Sequence, residues 1–316
     1  MRYGLLICLL APAVFAQSAY KAPRLPWGAP DLGGYYLNKQ SPPLERPANL
    51  GAKEFYTPEE VAARDAAAAA RPPAPEPAEA GAGAPVHYDF DQFGLDAGTS
   101  GTVHSNRTSI IVGPSGRLPA TLPDAAKRVA DQRAAARGHE FDSVQNRSMG
   151  ERCIYYGSEG PPLMSGGYNP NLQIFQGPKE VIIRNEMMGG ARIIRTDGSP
   201  HLDASVRQWY GDSIGHWEGD TLVTDTTNFT DQPPLGRGTG KSLHVTERFT
   251  RTSPTMIKYE FTVTDPTVWE QSWSGEYSIQ KIDGPIYEYG CQEGNYGLPN
   301  ILSGARAAER EVAAAK

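Results

Sequence analysis

The sequence predicts a mainly β protein: an antiparallel meander forming a lipocalin-like barrel or curved sheet, with an N-terminal extended arm and two surface helices. Three observations point that way. From about residue 172 onward, apolar and polar residues alternate with a period of two in short runs. The connections between runs are brief and rich in turn residues, as in MMGG (187–190) and TSP (252–254), which favours antiparallel neighbours. Glycine (34) and proline (27) are abundant, which suits a turn-rich β fold better than a helical bundle.

Taken in order, MRYGLLICLLAPAVFA (1–16) has a basic start, an apolar run and a small-residue cleavage signal. It reads as a secretory signal peptide, too short to span a bilayer, with cleavage after Ala16. The mature chain is expected to be soluble, exported to the periplasm or medium, and without a membrane span. Residues 17–56 are punctuated by Pro and Gly and read as the extended arm. Thr57-Pro58-Glu59-Glu60 is a helix start, with Thr as cap, Pro at the first helical position and Glu at the capping-box position. That helix and the Pro/Ala-rich stretch after it, RPPAPEPAEAGAGAP, form a helix-and-linker unit over 57–86. The remaining 87–316 make the β-rich domain, with a second, charge- and alanine-rich helix near 124–137.

The strand candidates are LQIFQ, EVIIRNE, ARIIRT, DTLVTDTTNF, LHVTERFT, TMIKYEFTVT and EQSWSGEYSIQK. Alternation puts Ile257, Tyr259, Phe261 and Val263 on one face, and Trp273, Gly275, Tyr277 and Ile279 on one face. In 243–249 the apolar face carries Leu243, Val245 and Phe249, and Glu247 falls among them. A carboxylate there is costly unless paired. Trp217-Glu218-Gly219-Asp220-Thr221 has the pattern of a tight hairpin, with His216 an exposed strand-end residue. Asp212 and Asp225 have no such turn duty.

Removing Arg2 takes the formal charge from −6 to −6 − 1 = −7, with both signs scattered. No basic cluster points to nucleic acid. Without Cys8, the cysteines are Cys153 and Cys291, which in an oxidising compartment most simply form one disulfide. No nucleophile elbow, phosphate loop, dinucleotide fingerprint or HExxH occurs, and the six histidines lack short ligand spacing. We therefore assign no metal and no cofactor from sequence.

The chemistry that remains is acid/base work by inward carboxylates: a metal-independent lyase, isomerase or hydrolase acting on a small aromatic, terpenoid or sugar-derived molecule. Asp212 and Glu247 are the candidate base and acid, with Arg192 stabilising developing negative charge. Candidate substrate-binding residues are Tyr168, Asn171, Glu186, Trp209, Asp225, Trp273 and Asn295. A plainer expectation for Arg192 and Glu186 is an ion pair across 187–190. Two other classes stay open: a periplasmic carrier of a small apolar ligand, and an envelope structural or interaction module, which a filled barrel favours.

Several segments carry a resemblance: DLGGYY, RTSIIVGPSGRLP, YNPNLQIFQ, NEMMGGARII, RQWYGDSIGHWEGDTLVTDTTNFT (207–230) and YEYGCQEGNYGLPNILSGAR. The chain resembles a large family of exported bacterial proteins with a RQWxGDSxGxWEGDTLVxDTTNFT signature. The resemblance covers nearly all of the mature chain and implies export, but it implies no particular reaction. The family pattern has a histidine and an aspartate before ARII, where this chain has Gly189-Gly190, and a histidine after the last cysteine, where it has Gln292.

Overall fold

The computed structural model describes residues 20–70, 101–166 and 168–315. The expected signal peptide and the Pro/Ala-rich linker lie outside the described residues. Nine strands, in chain order, close into a barrel: β1 (Gly34–Leu37), β2 (Asn171–Gln176), β3 (Glu180–Asn185), β4 (Ala191–Arg195), β5 (Asp212–Glu218), β6 (Thr221–Thr227), β7 (His244–Arg251), β8 (Met256–Thr264) and β9 (Trp273–Lys281). Every neighbouring pair is antiparallel except β4–β5, which run parallel.

The alternating strands sit where their patterns place them. Val245, Phe249, Ile257, Tyr259, Phe261, Val263, Trp273, Tyr277 and Ile279 all face the interior and are buried. Each such side chain contributes about 1.5–3 kcal/mol by leaving water. The aromatic rings pack on one another, with Tyr259 5.1 Å from Tyr277 and 4.9 Å from Phe249 between centroids. Fully buried Leu163 joins this core from outside the strands. Its amide donates to the Tyr259 hydroxyl (2.8 Å) and its carbonyl accepts from the Tyr277 hydroxyl (2.9 Å).

The N-terminal arm differs from expectation. Instead of lying wholly outside, it supplies β1, which closes the barrel between β2 and β9. Three α-helices are present among the described residues: α1 (Pro58–Ala69), α2 (Pro123–Ala136) and α3 (Gly297–Ala314). The capping box at the start of α1 is formed, since Glu60 N–H donates to Thr57 Oγ1 (3.3 Å) and Thr57 N–H to Glu60 Oε2 (2.8 Å). The third helix was not expected. No helix among the described residues is long and apolar enough to cross a membrane.

The Cys153–Cys291 disulfide is formed. The hairpin at 217–221 is also as expected: Glu218 pairs with Thr221 around Gly219, whose φ of +61° suits glycine.

A candidate acid-base site on the barrel wall

The parallel step from β4 to β5 decides where the site lies. Antiparallel neighbours need only a tight turn, but a parallel pair needs a long return connection. Here that connection, 196–211, crosses the outer wall and carries His201 with it. Register places Ser213, Gly215 and Trp217 opposite inward Thr226, Thr224 and Leu222, so Asp212 faces outward. Its 2% exposure comes from the crossing segment rather than from the barrel interior.

Under that segment five side chains bond in series. Arg195 makes two bonds to Asp212 (2.6 and 3.2 Å), and the Leu202 amide donates a third (2.9 Å). His201 then bridges two carboxylates, with Nδ1 2.9 Å from Asp212 Oδ2 and Nε2 2.9 Å from Asp225 Oδ1. Asp225 Oδ2 lies 2.6 Å from Nε2 of His244, which opens to solvent with its side chain 40% exposed. Ionised carboxylates only accept, so both His201 bonds are made together when its ring donates from both nitrogens.

The electrostatics follow from these contacts. Burial pushes Asp212 up, but Arg195, the Leu202 amide and His201 together hold it below the usual aspartate value. Asp225 is also lowered, first by the His244 bond, against burial, with His201 adding to the effect. His244 is raised above 6.5, mainly by its bond to Asp225. Among the described residues, no group of three or more His, Cys, Asp or Glu side chains is placed to hold a metal ion.

The sequence-predicted residues divide among several places. Glu247 and Arg192 face into the barrel, 0% and 5% exposed, and form a two-pronged ion pair there. Glu247 also accepts from Tyr259 (2.8 Å) and Thr224 (3.0 Å). Asp212 and Glu247 therefore stand on opposite faces of the wall and do not share a pocket, which corrects their expected pairing as base and acid. The expected Arg192–Glu186 pair is not formed, because alternation turns Arg192 inward to Glu247. Glu186 instead accepts from Asn171 Nδ2 (2.7 Å) and the Tyr287 amide (3.0 Å).

Asn295 donates to the Glu151 carbonyl (2.7 Å) and lies against Cys153 Sγ (3.4 Å), so Asn171, Glu186 and Asn295 fasten the C-terminal segment. Trp273 is core, edge-on to Phe261 and Trp269. Trp209 is half-buried and packs on Tyr155, 5.9 Å away, and Tyr168 is exposed. Of the expected set, Asp212 and Asp225 belong to the outer series, where His201 bridges them, while Arg192 meets Glu247 and Asn171 meets Glu186 elsewhere. Asp225 lies on the outer face, since Thr224 and Thr226 are the inward pair.

His201 and His244 were missed. His244 had a usable signal: it alternates with inward Val245 and Glu247, on the polar face of β7.

A second carboxylate matters for stability. Glu159 is buried and accepts from the Tyr210 hydroxyl and the Tyr156 amide. Gly190 carries no side chain here for a physical reason, as a Cβ would meet the Tyr210 hydroxyl and come within 2.7 Å of Glu159 Oε2. Burial pushes Glu159 up from 4.5 to about 7, against the two hydrogen bonds. The folded state thus holds a proton that the unfolded chain releases. Its stabilising contribution is full below pH 4.5 and is lost as pH rises through 7. At 1.36 kcal/mol per pH unit the loss is about 3 kcal/mol. Urea unfolding should show Glu159→Gln gaining on the parent protein between pH 5 and pH 7.5. A difference that does not vary with pH would contradict the assignment.

No protein-family model matches the chain, and no curated protein matches it significantly.

Proposed function

We propose that the chain is an exported enzyme performing metal-independent acid/base chemistry, as a hydrolase, lyase or isomerase, on a small sugar-derived substrate held against the outer wall. The signal peptide read from the sequence and the 153–291 disulfide support export, and with it kinship to the bacterial family the signature resembles. The observation that carries the reading is the series Arg195–Asp212–His201–Asp225–His244, anchored under a loop at one end and open to solvent at the other.

In this arrangement His244 is the proton-transferring group. Asp225 takes the Nε2 proton in a hydrogen bond, which leaves Nδ1 as the base. As Nδ1 collects a proton, Asp225 stabilises the imidazolium, and His201 with Asp212 keeps Asp225 oriented and ionised. Beside Asp225 in the ladder stands Thr246, at the start of a groove of about 190 Å³ that also touches Arg248, Glu260, Thr262, Ser274 and Glu276. Hydroxyls and charges there stand beside Val112, Phe261 and Gly275, a mixed lining that suits the polar edges and apolar faces of a sugar-derived substrate. The groove's volume lies below the roughly 300 Å³ at which drug-sized pockets begin.

The barrel interior, packed around Tyr259 and the Arg192–Glu247 pair, gives no support to a carrier of apolar ligands. The same packing favours the envelope module as the second reading.

The test is to incubate the oxidised protein with a panel of mono- and disaccharides, sugar acids and acetylated sugars, following products by mass spectrometry. We expect one class to be consumed, with His244→Gln lowering turnover by about 10²–10⁴. Because base catalysis needs His244 neutral, the rising limb of the pH–rate profile should lie above 6.5, and Asp225→Asn should move it to lower pH. Full turnover in His244→Gln would place the chemistry elsewhere. An inert panel would leave the envelope module.

A further inference from the structure

We infer a second small-molecule site at the opposite end of the same wall, one that takes a small aromatic carboxylate. The arm and residues 103–107 pair with each other across the outside of the barrel, through bridges between Gln40 and Val103 and between Phe55 and Arg107. Farther along, the same segment pairs Ile111 with Gly275 on β9, and the next residue, Glu276, borders both the groove near Thr246 and the space at the Met256 end. Where the arm stands off β8 and β9 it leaves a cavity of about 340 Å³, within the size range of small-molecule pockets.

The lining gives the ligand class. Phe55, Val103 and Met256 supply an apolar wall, on which a flat ring can lie against the phenyl and the thioether. Arg107 is buried, with its guanidinium 5.0 Å over the Phe55 ring and its Nη1 2.7 Å from Glu276. Lys258 Nζ lies 2.8 Å from Glu260 and 3.2 Å from Glu276. Two fixed cations therefore border the cavity, held there by the two carboxylates Glu276 and Glu260. An ammonium has three donors, so Lys258 can serve its two carboxylates and one ligand oxygen. An apolar plate beside an ammonium with a third donor to give matches a ring that carries one carboxylate. This inference does not depend on the role given to His244.

The experiment is calorimetric titration of the oxidised protein with benzoate and with benzyl alcohol, its uncharged counterpart. We expect benzoate to bind about tenfold more tightly, the advantage of one charge-assisted bond, and that advantage to shrink with added salt. Lys258→Met, an outward position on β8, should bring the two ligands within about twofold of each other. Phe55→Ala should weaken both. His244→Gln should alter neither. Equal affinities in the parent protein, an undiminished preference in Lys258→Met, or binding of neither ligand would each overturn the assignment.

Discussion

Glu247→Ala is expected to destabilise the folded protein by about 3–5 kcal/mol, because it strands the Arg192 guanidinium in an apolar interior. Tyr259 and Thr224 lose their acceptor in the same step. Replacing both partners, Arg192→Met with Glu247→Leu, should cost far less, since no charge is then left without a counterpart. Urea midpoints at constant slope would measure both effects. If the alanine variant lost less than about 1 kcal/mol, the ion pair described above would not be intact in solution. The contrast between single and double replacement also separates a structural role for this pair from a chemical one.

Removing the disulfide ranks next. Cys153 and Cys291 are 138 residues apart, and on the chain-entropy account closing a loop of that length stabilises by about 4–5 kcal/mol. Beside the bridge, Asn295 holds the Glu151 carbonyl, Arg306 reaches the Asp142 carbonyl, and the Tyr287 amide holds Glu186. Cys153→Ser with Cys291→Ser should therefore lower the urea midpoint and also make the chain beyond about residue 286 quick to digest by protease. Equal midpoints in the oxidised and double-serine proteins would show that the bridge does not constrain the unfolded chain as its loop length implies.

Period-two patterning made most of the barrel legible, because β7, β8 and most of β9 alternate buried with more exposed residues, and β6 departs at buried Val223. Where a strand lacks that contrast it was hidden. Gly34–Leu37 is short, begins with glycine and follows a run of turn residues, so nothing local marked it as the strand that closes the barrel. Helix α3 was obscured by Pro299 and Gly304 inside it.

The candidate site was half legible. Asp212 and Asp225 stood out as carboxylates without turn duty. Their partner His201 reaches them only because β4 and β5 run parallel, and parallel pairing follows from the return path of the chain, which no local pattern records. Glu247 was correctly read as inward, but its function there is satisfied by Arg192, whose direction depends on strand register.

The barrel has two narrow joins. β4 and β5 pair at only two positions, Ile194 with Ser213 and Arg195 with Ile214, and β1 meets β9 at only two, Tyr36 with Lys281 and Leu37 with Gln280. A closed sheet is protected from intermolecular strand addition because it has no free edge, and that protection is as strong as its weakest join. The first of these joins is laced from outside by Asp212, which ties Arg195 to His201 and loses its charge only in strong acid, because its partners hold it below the usual aspartate value. Acidification that unties the lacing would leave β4 and β5 as open edges, ready to pair with a second chain.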